Sequence, residues 1–68
     1  MNDYKNGWRY IVWVSGVDDY YKTFSQAKMD YHDWREKGYD DVFLTEIQKD
    51  GTEKIIYSSE EIENEHRR

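Results

Sequence analysis

The side chains best equipped for chemistry are two histidines, three adjacent pairs of acids and a heavy load of aromatic rings. A nucleophilic enzyme needs a Ser or Thr beside a positioned His and a third group to orient it. His32 falls on the flank of an expected helix and reads as a solvated surface residue, while His66 belongs to a charged tail. Asp18 with Asp19, Asp40 with Asp41, and Glu60 with Glu61 suggest paired carboxylates. Neighbours in extended chain point to opposite sides, however, so adjacency does not make an acid–base site. Turn chemistry, the start of a strand and charge at a helix start account for the three pairs. Asp18, Asp19 and Asp50 lack the every-second-residue oxygens and closing glutamate of a calcium loop. His32 and Glu36 share a helix face at i, i+4, but two ligands without a third do not hold a metal. The chain has no cysteine, which removes thiolate zinc sites and disulfides. The reading is a protein that is not an enzyme, with no catalytic residues, no metal and no cofactor.

Binding is the chemistry that remains. The 68 residues include three Trp, seven Tyr and two Phe. A few large rings, each burying roughly 150–250 Å², build a core that so short a chain could not make from Leu and Val. Rings beyond that need mark a contact surface. Trp8, Tyr10, Trp13, Tyr20 and Tyr21 form the candidate aromatic face, on the first hairpin. Net charge is −5, unevenly spread: residues 18–65 carry 14 acids against 6 bases, a net of −8. Such a body repels phosphate backbones and suits a basic partner. Asp30, Asp33, Glu36, Asp40 and Asp41 form a second candidate, an acidic face on and after the helix. The plainer account of these acids is solubility.

These residues need elements to position them. Residues 1–7 read as a flexible polar lead-in. Residues 8–15 are the strongest strand signal, with Trp8, Tyr10, Val12 and Val14 on one face and Ile11 and Trp13 on the other. Both faces are apolar, which predicts a central strand. Gly16, Val17, Asp18 and Asp19 read as a turn, and residues 20–22 as a short returning strand. Thr23 and Gln26 match a capping box, opening a helix that runs to about Lys37. Its apolar stripe is Phe24, Ala27, Tyr31 and Trp34, with Asp30, Asp33, Glu36 and Met29 outward. Trp34→Ala is expected to unfold the domain, and charge reversal at Asp30 and Asp33 to spare it. Gly38 is placed to end the helix in a left-handed conformation.

Residues 41–48 and 53–58 predict a hairpin. A two-residue Asp-Gly turn would pair Gln48 with Glu53. A type I turn with Gly51 in a bulge would instead pair Gln48 with Thr52, Glu46 with Lys54 and Leu44 with Ile56. The second sets opposite charges and like apolar residues across from each other and is preferred. Residues 59–68 read as a charged tail or a short C-terminal helix. The expected whole is one α+β domain over residues 1–68, β-β-α-β-β, with an antiparallel sheet and one helix packed on one face. No stretch approaches a membrane span or a signal peptide, which makes the cytoplasm the default compartment.

Two resemblances bear on function. Residues 20–34, a strand then a Thr-Phe capping a helix with an aligned Ala, loosely resemble the arm-type DNA-binding domains of phage integrases. That family's sheet is rich in Lys and Arg, and this one has only Arg9 and Lys22. More broadly, residues 13–21 with Thr23, Ala27, Tyr31, Trp34 and residues 38–42 resemble small uncharacterised bacteriophage-encoded accessory proteins. The likeness spans roughly residues 8–47. It implies an accessory product of a class that includes inhibitors of host restriction, CRISPR and repair enzymes, and supplies no functional residues. The expected function is therefore an acidic, phage-derived protein that binds and inhibits a host nucleic-acid-acting protein as a DNA mimic would. The alternatives are a nucleic-acid-binding or regulatory module using the aromatic face, and a structural domain that self-associates as a homodimer through a sheet edge.

Overall fold

The computed structural model describes residues 3–58. The expected C-terminal helix or tail, with Glu60, Glu61 and His66, lies outside them. Five elements follow in order: β1 (Tyr10–Val14), β2 (Val17–Tyr21), α1 (Phe24–Glu36), β3 (Val42–Ile47) and β4 (Glu53–Ser58). The strands form one antiparallel sheet in the spatial order β2-β1-β3-β4. This is the α+β fold expected, and β1 is central as its two apolar faces predict.

The helix is positioned by its ends. Thr23 has extended backbone and its Oγ1 accepts from the Gln26 amide at 3.3 Å. At the other end the Gly38 amide donates to the Arg35 carbonyl at 3.0 Å and the Tyr39 amide to the Trp34 carbonyl at 3.3 Å. With Gly38 at φ +99°, this pair of bonds is a Schellman motif. The apolar contact that accompanies such motifs is present: Tyr39 meets Trp34 edge-on, with ring centroids 5.1 Å apart.

One face of the sheet carries the core. Val12, Val14, Val42 and Leu44 from the central strands pack with Ala27 and Tyr31 of α1, and all six are buried. Tyr10, Tyr21, Phe24, Trp34, Ile56 and Tyr57 close around them. Phe24 lies between Tyr10 (5.5 Å) and Tyr57 (6.2 Å), and Tyr31 lies 5.5 Å from Tyr57. Rings do fill this core, as the composition predicts.

Three expectations are corrected here. The first turn is Ser15 and Gly16, not residues 16–19. Both have positive φ (+50° and +85°), the requirement of a two-residue type I′ hairpin, so Val17, Asp18 and Asp19 are strand. Next, the second hairpin has the preferred turn but not its full register. Gly51 sits at φ +89°, the Gln48 amide donates to the Thr52 carbonyl at 2.8 Å, and Glu46 opposes Lys54. Beyond Thr45, which opposes Ile55, a bulge intervenes and Leu44 opposes Tyr57 rather than Ile56. The extra residue keeps Tyr57 on the helix side, where Phe24 and Tyr31 receive it. Finally, residues 3–7 form a hydrogen-bonded turn rather than a free lead-in. Asn6 and Trp8 amides both donate to the Asp3 carbonyl at 3.1 Å, and Arg9 Nη1 donates to the Tyr4 carbonyl at 2.9 Å.

Candidate functional site

The five aromatic candidates do not share a face. Tyr10 and Tyr21 oppose each other across β1 and β2 and turn toward the helix, where they belong to the core. Trp13 and Tyr20 lie on the opposite, helix-free face. Trp8 precedes β1 and turns to that face as well, against the strand alternation that grouped it with Tyr10. Its ring meets Tyr20 edge-on at 5.9 Å, and Lys22 Nζ stands 5.2 Å from its centre. Burial first, then the carboxylates of Asp3 and Asp18, raise the Tyr20 phenol above its ordinary pKa.

The acidic candidates are divided too. Asp33 and Glu36 are exposed on the outer helix, Asp33 pairing with Lys37 at 3.2 Å, and Asp40 is exposed in the loop beyond. Asp30 is not outward: it accepts from Trp34 Nε1 at 3.2 Å and from the Tyr21 hydroxyl. Reversing its charge would strand both donors, so Asp30 is structural and only Asp33 remains a neutral place for reversal. Asp41 leaves the group altogether. Its carbonyl accepts from the Ser15 amide at 3.2 Å, and the residue lies at the helix-free face.

Tyr21 has a consequence for stability. Burial and the hydrogen bond to Asp30, with its negative charge, push the Tyr21 phenol from about 10 up to about 12. The folded state thus favours neutral Tyr21. The stabilisation is complete below pH 10 and is lost as pH rises from there through about 12. Thermal melts between pH 9 and 12 should show a steeper alkaline loss for the wild type than for Tyr21→Phe. Parallel curves would refute the coupling.

What the helix-free face gathers instead is a groove of about 570 Å³ lined by Trp13, Gly16, Asp41, Phe43, Thr45, Glu53 and Ile55. Trp13 opposes Phe43 on the neighbouring strand, but its indole reaches further. Its Nε1 donates to Glu53 Oε1 on β4 at 2.9 Å. The ring therefore spans β1, β3 and β4 as a plate, with Thr45 beneath it. Thr45 Oγ1 donates to the same Glu53 oxygen at 3.0 Å and is buried. Trp13 and Phe43 are half-buried, whereas Ile55 is 55% exposed. Among the described residues no base lines the groove, and its charges are the carboxylates of Asp41 and Glu53.

Phe43, Thr45, Glu53 and Ile55 were not candidates from sequence. Part of the signal was available: on β3, Phe43, Thr45 and Ile47 alternate with Val42, Leu44 and Glu46, which puts Phe43 and Thr45 on one face, while the pairing with Trp13 follows from strand order and register. The reach of Trp13 to Glu53 had no such signal, because the two are 40 residues apart.

Both sheet edges carry the features that discourage strand addition. β2 presents Asp18 and Asp19, and β4 presents Glu53 and Lys54 followed by the bulge. Among the described residues no group of three or more His, Asp or Glu is placed to hold a metal ion, and no helix is long and apolar enough to cross a membrane. Neither a protein-family model nor a curated protein nor a solved structure matches this chain.

Proposed function

We propose that this is a non-enzymatic, phage-derived binding protein that docks on a basic surface of a host nucleic-acid-acting protein in the bacterial cytoplasm and blocks it. The observation that carries the reading is the helix-free sheet face, where half-buried Trp13 and Phe43 and exposed Ile55 line a groove with Asp41 and Glu53. Aromatic and aliphatic anchors supply contact energy, and carboxylates at their margin favour a cationic partner. The same carboxylates weigh against a nucleic-acid ligand. Stacked bases bring phosphates with them, and on this face Arg9 is held by Tyr4 while Lys22 lies at Trp8. Thr45 with Glu53 is the one hydroxyl–carboxylate pair among the described lining residues, and burial of Thr45 suits support rather than attack on a substrate.

The test is affinity capture from bacterial lysate at low salt, with the retained proteins identified by mass spectrometry. The expected result is a nucleic-acid-acting protein whose retention falls as salt rises and whose activity the purified chain inhibits. Retention of no such protein, or tight binding of DNA or RNA by the chain itself in a gel shift, would overturn the reading.

A further inference from the structure

Resting on that reading, we infer that the groove between Trp13, Phe43 and Ile55 is a receptor for a single arginine side chain projecting from the partner. Three features specify the occupant. Its walls are an indole plate, a phenyl ring and an aliphatic side chain, which suit the flat, weakly hydrated guanidinium and its apolar stem. Its charges are two carboxylates, Asp41 just before β3 and Glu53 on β4, with no cation among the described lining residues to neutralise them. And the Glu53 carboxylate is already oriented. Trp13 and Thr45 both donate to Oε1, which fixes the group and leaves Oε2 able to accept from an incoming donor. Lysine would satisfy the charge but presents a compact, strongly hydrated ammonium that gains less from stacking. A neutral apolar side chain would fill the walls and leave the carboxylates to be desolvated without compensation.

The experiment titrates the full ¹⁵N-labelled chain with a capped tripeptide bearing a central arginine, and with its lysine and citrulline counterparts. The readouts are the Trp13 indole Nε1–H resonance and the Ile55 amide. The arginine peptide should shift both saturably, with lysine several-fold weaker. Citrulline, the neutral isostere, should be at least about tenfold weaker, the factor that one lost charge-assisted bond of about 1.4 kcal/mol gives. Glu53→Gln and Asp41→Asn, which keep the shape and one acceptor oxygen but remove the charge, should each weaken the arginine peptide several-fold. Asp33→Asn on the outer helix should not. Equal binding of arginine and citrulline, shifts spread over all exposed carboxylates, or indifference to both groove substitutions would overturn the assignment. Phe43→Leu supplies a second, uncharged test, since loss of stacking should narrow the preference for arginine over lysine. Partner capture separates the two proposals. If the groove variants still capture the partner as the wild type does, the groove assignment falls and the binding reading stands. If the arginine peptide binds as expected and no partner is retained, the binding reading falls alone.

Discussion

Tyr31→Ala should leave the domain largely unfolded at room temperature. Tyr31 is the largest fully buried side chain, at 0% exposure, and it stands where α1 meets both central strands. Its ring also touches Tyr57, so its loss opens a cavity among Val12, Leu44 and Tyr57 that rigid sheet neighbours cannot close. Truncating a buried aromatic costs about 3–5 kcal/mol. A chain of this size has a total stability of roughly 3–10 kcal/mol, so most of it disappears. Circular dichroism melts should show the midpoint falling by about 15–30 °C, or no cooperative transition at all. A fall of less than about 5 °C would show that the helix–sheet core is not centred on Tyr31. Trp34→Ala, which the helix stripe alone marks as equally severe, should cost less. Trp34 is only half-buried, and its ring is covered by Tyr39 and Lys37 from the loop side.

Glu53→Ala should have the largest effect on the proposed binding face. The substitution takes the acceptor from two donors at once, the Trp13 indole and the buried Thr45 hydroxyl. The Ile11 carbonyl, 3.4 Å from Thr45 Oγ1, can take over the hydroxyl but not the indole. Loss of stability should therefore be modest, about 1–2 kcal/mol. The indole loses the anchor that holds it across three strands. The Trp13 Nε1–H resonance should move toward the position of a water-exposed indole, and the affinity for a captured partner should fall at least about tenfold, equivalent to one lost charge-assisted contact. An unmoved indole resonance would show that neighbouring side chains, rather than Glu53, set the plate.

The fold was largely legible because its signals are local. The Thr23 cap, the Gly38 terminator and the apolar stripe define α1 within a residue or so, and the alternation in β1 makes it central. The errors arose where a local signal had a competitor. Asp18 and Asp19 look like turn residues, yet Ser15 at positive φ makes the turn one step earlier, a conformation that Ser takes only where the sheet twist enforces it. The proposed binding face was less legible. Strand parity groups Trp8 with Tyr10, but Trp8 lies before the ladder begins and is free to cross. Asp30 sits at a position that helix periodicity marks as outward, yet two donors from Trp34 and Tyr21 draw it in. Asp41 joins Trp13 only because β3 lies beside β1, a fact of strand order that no stretch of sequence contains.

That strand order also bears on how the molecule reaches its fold. β1 with β2 and β3 with β4 are hairpins closed by short turns, each able to form from its own residues. The ladder between β1 and β3 is the one seam that joins distant parts of the chain, and α1 must be in place to bring its strands together. Loop closure across the helix is therefore the entropic cost that sets the folding rate. With no proline and no cysteine, no isomerisation or oxidation step competes with it. The groove straddles this same seam, with Trp13 on one side and Phe43 on the other. A partner seated there as proposed would bridge the two halves and slow their separation, so binding would double as a brake on unfolding.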